Sequence, residues 1–324
     1  MAAQMTDQVL GERDRRLIAA LQCDGRLPAE EAGAVLGVPA RVVQRRWAEL
    51  LATGVVRVVA GRPRPSVDGV LLVRIRILRG KLEAVSQALA RRPDVPLVEL
   101  SASGDQVVAV VMPGAGHPGT LLFEQLPMSG AVISVDAQTV IHVFSDAADW
   151  TADCLSPQER AALSPPAAGP GGPAVLDDVD EAIVRALAAD GRRSAAAVAR
   201  ATGQPESTVR RRLAALLEGG QLVTQVIIDP KLLGLPVDAD LRMQVAPGRL
   251  DETGRALAAH PAVHGAMATT GPANLFVAVW LRSLDHLYQF ITRDLARLGV
   301  GNVDTLLIGR SVKRPAGTWY EGQR

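Results

Sequence analysis

The sequence predicts an α+β fold in which two helix-turn-helix (winged-helix-like) domains alternate with two ferredoxin-like β-α-β-β-α-β domains. Three observations carry this. The chain repeats itself at a fixed offset of 166 residues. The opening of each repeat shows apolar residues at helical spacing, broken by Gly. The remainder of each repeat runs through strands and helices in one shared order.

The duplication is ungapped over its first part. Asp14 falls on Asp180, Asp24-Gly25-Arg26 on Asp190-Gly191-Arg192, Gly37 on Gly203, Pro39 on Pro205, Arg45-Arg46 on Arg211-Arg212 and Gly54 on Gly220. The phase holds to Ile77 on Met243, then drifts by a residue or two, with Gly104 on Gly271 and Val135-Asp136 on Val303-Asp304. The expected domains are therefore 11–60, 68–146, 177–228 and 236–314, with a Pro/Gly linker over 164–176.

Each element has its own reason. Leu17, Ile18 and Leu21, like Ile183, Val184 and Leu187, mark a first helix, expected to stop at Gly25 or Gly191 through a left-handed glycine. A second helix spans about 29–36 and 195–202, and Gly37 or Gly203 makes the turn. The third helix starts at Pro39 or Pro205, where the missing N–H costs nothing, and Gly54 or Gly220 closes it. Strands follow at 55–59 and 222–228. In the first copy the pattern then reads strand 70–78, helix 81–91, strands 95–101 and 106–112, helix 118–125 and a last strand within 131–144. The second copy reads strand 238–245, helix 250–259, strands 263–269 and 274–281, helix 284–298 and strand 302–312. Such a sheet carries helices on one face, and a second such sheet, from the same chain or from a second chain, is expected to cover the other, burying alternate residues of 70–78 and 238–245.

The third helices carry the chemistry. Val43, Trp47 and Leu50 form one apolar face, as do Val209, Leu213 and Leu216. The opposite face carries Arg41, Gln44 and Arg45 in copy one and Ser207, Thr208, Arg210 and Arg211 in copy two. These are donors to phosphates and to base edges, on an element that fits the major groove of double-stranded DNA. Arg46 and Arg212 lie nearer the core edge and are read as braces. From Glu12 to Arg64 ten Arg outweigh six acids, whereas Asp177 to Thr224 balances at seven each, so phosphate attraction favours copy one.

Composition removes other classes. The 324 residues are 48% hydrophobic but only 3% aromatic, so the cores are aliphatic, and a net charge of +1 excludes a uniformly basic coat protein. Two cysteines, Cys23 and Cys154, make no disulfide framework. No 18-residue apolar stretch lacks charge and the start has no signal-peptide core, so the reading is cytoplasmic, without membrane association. His260 and His264 lack the Glu of a zinc-protease motif and read as a turn-exposed pair, and Gly169–Gly172 lacks the Lys-Ser/Thr of a phosphate loop. Neither a metal nor a cofactor is expected.

The residues Asp180…Ile183, Asp190-Gly191-Arg192, Gly203-Gln204-Pro205-Glu206-Ser207-Thr208-Val209, Arg212-Leu213, Leu216, Gly220, Asp229 and Leu233-Gly234 resemble the Lrp/AsnC family of bacterial transcription regulators. The resemblance covers both copies. It implies a non-enzymatic, DNA-binding regulator whose second domain senses an amino acid or related small metabolite and whose sheets drive self-association. Most members carry one copy, so this chain resembles two fused subunits. The family's effector loop, Gly-x-Tyr-Asp between the second and third strands of the regulation domain, maps to Ser103, Gly104 and Asp105 and to Thr269, Thr270, Gly271 and Asn274. Neither loop has Tyr, and Asn274 is neutral where the family has Asp. Sirohaem decarboxylases resemble the same architecture in tandem and give the alternative, although no Trp-Pro-Tyr run or nearby Tyr-Arg appears here.

Overall fold

The computed structural model describes residues 9–63, 69–112, 130–148, 150–165 and 176–314. The helix expected at 118–125, most of the linker, His117 and Trp319-Tyr320 lie outside them. The chain forms two compact units: one joins residues up to 64 to 151–234, the other joins 65–150 to 235–315.

In the first unit, copy one supplies α1 (Glu12–Cys23), α2 (Ala29–Leu36), α3 (Ala40–Ala52) and β1 (Val56–Gly61). Copy two answers with α6 (Asp178–Leu187), α7 (Ala195–Thr202), α8 (Glu206–Glu218) and β6 (Val223–Ile228). The apolar stripes of α6, α7 and α8 meet in one core of Ile183, Leu187, Val198, Val209, Leu213 and Leu216. β1 and β6 pair antiparallel across the copies, centred on Val59 opposite Gln225, so the two copies share one two-stranded sheet.

Two expectations change here. Gly25 and Gly191 are not left-handed: α1 ends at Asp24 in extended backbone, and neither glycine has a positive φ. What requires glycine is proximity. A Cβ on Gly25 would lie 2.7 Å from Thr224 Cβ, and one on Gly191 would lie 2.9 Å from the Val59 carbonyl carbon. The helix α5 (Pro157–Leu163) was not expected. Its signal is a capping box: Ser156 Oγ accepts from the Glu159 N–H while the Glu159 carboxylate accepts from the Ser156 N–H.

The second unit contains β2 (Leu71–Ile77), α4 (Leu82–Ala90), β3 (Leu97–Ser101), β4 (Gln106–Val111) and β5 (Val132–Ser145) from copy one. Copy two gives β7 (Val237–Met243), α9 (Leu250–Ala258), β8 (Val263–Thr269), β9 (Leu275–Leu281), α10 (Leu284–Gln289) and β10 (Val303–Lys313). A wider π-helical segment, Phe290–Leu295, continues α10.

The two sheets do more than stack. They join at both edges, β5 to β8 and β3 to β10, into one closed eight-stranded barrel, β10-β3-β4-β2-β5-β8-β9-β7. Closure leaves no sheet edge exposed. The helix-facing sides are apolar: Val73, Ile75 and Ile77 with Leu89 in one copy, Leu241 and Met243 with Leu257 and the aromatic Phe290 in the other. The alternate residues face inward, as the expected burial required, yet many are charged: Arg74, Asp240 and Arg242.

Registry corrects the repeat phase. Arg74 lies opposite Asp136, and Arg242 lies opposite Asp304, so the copies in this unit correspond at an offset of 168 rather than 166. Across the barrel the pairs cross over: Arg74 Nη1 reaches Asp304 at 2.5 Å, and Arg242 Nη1 reaches Asp136 at 3.1 Å. Of the histidine pair, His260 stands in the turn before β8, its side chain 30% accessible, but His264 does not. His264 sits on β8, its side chain 14% accessible, stacked on Trp280 at 3.8 Å between centroids.

Candidate nucleic-acid interface

In copy one, Gly37 takes φ +67°, which only glycine adopts without strain, and turns the chain from α2 into α3. Pro39 stands at the N-cap in extended backbone. α3 then buries Val43, Trp47 and Leu50, and the Trp47 Nε1–H donates to the Leu17 carbonyl at 3.0 Å. With that face fixed, Arg41, Gln44 and Arg45 are exposed on the other. Arg45 is about three-quarters accessible and only 4.0 Å from Glu49. Arg46 is different. Its Nε and Nη2 donate to both Asp14 oxygens at 2.8 and 2.7 Å and its Nη1 to Glu49 at 2.8 Å, so its charge is spent on bracing α1 against α3. The Asp14 hydrogen bonds, then those of Glu49, push its pKa up.

Copy two repeats the arrangement. Gly203 has φ +69°, and α8 buries Val209, Leu213 and Leu216. Ser207, Arg210 and Arg211 are exposed, and Thr208 is half-buried. Arg210 donates to Glu206 at 2.6 Å. Arg212 matches Arg46: its Nη1 bonds Asp177 at 2.6 Å and Asp180 at 2.9 Å. Each third helix thus sets a pinned brace apart from exposed arginines; of these, Arg45 and Arg210 lie against Glu49 and Glu206 of their own helix, and among the described residues Arg41 and Arg211 have no ion-pair partner.

The two effector-loop candidates differ. In copy one, Gly104 turns the loop with φ +72°. Ser103 Oγ donates to Asp105 Oδ1 at 2.5 Å, and Arg76 lies 3.4 Å from Asp105 Oδ2. The Ser103 bond first, then Arg76, hold the Asp105 carboxyl below its ordinary range, so it is ionised and partly open to solvent. In copy two, Asn274 uses both ends on one neighbour: its Oδ1 accepts from Val245 N–H at 2.9 Å and its Nδ2 donates to the Val245 carbonyl at 2.8 Å. Thr269 Oγ1 donates to the Ala273 carbonyl at 3.0 Å, Thr270 bonds Thr139 through both main-chain and hydroxyl groups, and Gly271, at φ +97°, lies against Gln138. The copy-two loop is stapled to β5 of copy one.

The AsnC-type helix-turn-helix domain model matches residues 12–51 and 176–217, and the Lrp/AsnC ligand binding domain model matches 239–317. An uncharacterized HTH-type transcriptional regulator of Pyrococcus horikoshii is 31% identical over 141 residues, 43% of this chain and 89% of that protein. The chain belongs to the Lrp/AsnC family. The HTH-type transcriptional regulator FL11 of the same organism is 28% identical over 139 residues, again 43% of this chain and 92% of its own length, so each relative corresponds to one copy here. Among solved structures, the siroheme decarboxylase NirDL, in complex with an iron-uroporphyrin III analogue, shares the fold over 94% of this chain and 93% of its own, with a TM-score of 0.59 at 16% identity. No helix among the described residues is long and apolar enough to cross a membrane.

Proposed function

We propose that this member of the family is a sequence-specific DNA-binding transcriptional regulator, reading an imperfect palindrome with α3 and α8 and tuned by an amino acid or related metabolite. The observation that carries this reading is the division of arginines: Arg46 and Arg212 are spent on Asp14 and on Asp177 and Asp180, while Arg41, Arg45 and Arg211 stand exposed one helical face away. Free guanidiniums on a helix with a rigid apolar back are what phosphate and guanine-edge recognition needs. The two reading faces differ in sequence, so the two half-sites differ also.

For the metabolite, Asp105 offers an ionised carboxylate to an ammonium group, with Ser103 and the turn at Gly104 beside it. In copy two, Thr269, Thr270 and Asn274 already bond the main chain and Gly271 lies against Gln138, which favours a neutral ligand or none there. The decarboxylase alternative rests on a shared fold alone, and tetrapyrrole absorbance in the purified protein would favour it.

The test is selection of duplexes from a random pool, followed by titration at fixed salt of Arg45→Ala and Arg211→Ala. Each variant loses roughly 5- to 150-fold in affinity, the size of one base contact at about 1–3 kcal/mol. Unchanged affinity in both variants, with circular dichroism intact, would remove the assignment.

A further inference from the structure

The Asp-Gly-Arg triplet recurs at the same point of both copies, and its arginines are absent from the reading faces. Each one crosses to the other copy. Arg26 Nη1 donates to the Gly191 carbonyl, and its Nη2 donates to the Arg193 carbonyl at 3.1 Å. Arg192 returns the arrangement, Nη1 to the Gly25 carbonyl at 2.6 Å and Nη2 to the Leu27 carbonyl at 3.1 Å. The aspartates hold the turns that aim them: Asp24 Oδ1 accepts from the Arg26 N–H at 2.7 Å and Asp190 Oδ1 from the Arg192 N–H at 3.0 Å. The glycines complete the interlock. The Gly25 N–H donates to Thr224 Oγ1 on β6 at 3.1 Å, and the Gly191 N–H donates to the Val58 carbonyl on β1 at 2.8 Å. The Arg192 guanidinium also lies 5.1 Å from the ring centroid of Trp47, in the core-facing side of α3.

We propose that Arg26 and Arg192 are a reciprocal clasp that fixes the separation and twist of α3 and α8, and thereby sets the one half-site spacing this protein accepts. They are positioning residues, and the proposal rests on the reading of α3 and α8 as DNA-binding helices. The β1–β6 ladder alone is a two-stranded sheet, a type of pairing that is marginal by itself and twists readily. The clasp adds fixed points beside that ladder, at the turns that lead into α2 and α7, and so restrains the helix-turn-helix units from swinging about it. Planar forks on main-chain carbonyls are a directional restraint that a lysine point charge does not reproduce.

Two measurements on the full-length chain test this. In a Cys23→Ala, Cys154→Ala background, spin labels on Ala48→Cys and Ala214→Cys report the α3–α8 distance by pulsed dipolar spectroscopy. The parent gives a single narrow distribution, the Arg26→Met, Arg192→Met protein a broad one, and Arg26→Lys an intermediate one. Duplexes enriched from a random pool are then resynthesised with five base pairs inserted between the half-sites, about half a helical turn. The parent loses at least ~10-fold on the insertion, whereas the double variant loses less than ~3-fold and binds an isolated half-site as the parent does, the differences following from geometry alone. Should the double variant melt, the single Arg26→Met and Arg192→Met proteins carry the same comparison. Narrow distances and a full spacing penalty in folded variants would overturn the clasp, as would a parent indifferent to spacing. A parent that enriches no DNA would overturn the regulator reading instead, and the distance distributions would still decide whether the clasp holds the helices.

Discussion

Replacing Glu99 by Gln should make the barrel more stable at neutral pH and leave it unchanged in acid. Glu99 lies on β3 with its side chain inside the barrel, 8% exposed, next to β10. Burial first, then the charges of Asp238 and Asp240, push its carboxyl up to about 8, while Arg314, 3.6 Å away, and Ser311 pull the other way. Asp240 is raised to about 7 by burial and by Asp238, against Arg74 and Arg242. A folded pKa above the unfolded 4.5 means that the fold prefers the neutral acid. Below pH 4.5 both states are protonated and nothing is lost. As the pH rises from 4.5 towards 8 the unfolded chain ionises and the folded one resists, so stability falls, and it levels off above 8. At about 1.4 kcal/mol per pH unit, the loss by pH 7 is on the order of 3 kcal/mol. Gln keeps the shape and removes the titration. Hydrogen exchange of the β3 and β10 amides, corrected for intrinsic rates, should show protection in Glu99→Gln roughly a hundredfold above the parent at pH 7–8, converging at pH 4–5. Parallel profiles for the two proteins across that range would refute the argument.

Two further outcomes follow from single contacts. Gly191→Ala drives a methyl to within 2.9 Å of the Val59 main chain, and main chain cannot rotate aside as a side chain can. It should cost about 1–3 kcal/mol in thermal or urea unfolding, in the range of overpacked sites, whereas Gly203→Ala, in open space at φ +69°, should cost only about 1 kcal/mol from the left-handed backbone. Asp105→Asn should weaken binding of an amino-acid effector roughly 10- to 100-fold in calorimetry, the loss of one hydrogen bond to a charged group, and undiminished binding would leave Asp105 as a turn residue only.

Local structure was readable from the chain wherever periodicity is local. The helix over 29–36 is observed at Ala29–Leu36, and the brace role of Arg46 and Arg212 follows from where they sit on an amphipathic helix. What escaped is set by distant partners. Gly25 and Gly191 look like helix stops because Gly after Asp often is one; only the neighbouring strand of the other copy shows that the missing Cβ is the requirement. Alternation in 70–78 separates two faces, and the need to cover the second one predicts that both are buried, but not that the covered face carries an arginine paired with Asp304 inside a closed barrel. The effector loop is the same case: Asn274 looks like a weakened ligand in the sequence, and the structure shows a side chain bonded at both ends to Val245.

The duplication explains why the acidic seam can exist at all. A dimer of identical subunits repeats every interior residue, so any group on one seam of its barrel appears on the other. In this chain the β3–β10–β7 seam holds Glu99, Asp238 and Asp240 with Arg314. At the 168-residue offset shown by the strand registers, the opposite seam holds Met267, Val70 and Leu72 in the places of Glu99, Asp238 and Asp240. Meanwhile the crossed pairs, Arg74 with Asp304 and Arg242 with Asp136, are retained on both sides. The symmetric pairs bind the halves to each other, and the asymmetric seam makes one junction pH-sensitive, while the other carries apolar residues at the same three places. Covalent fusion permits that difference, because the two halves need not be identical in sequence and neither has to be complementary to itself. The same freedom is visible on the reading helices, where Arg41, Gln44 and Arg45 stand in one copy and Ser207, Arg210 and Arg211 in the other.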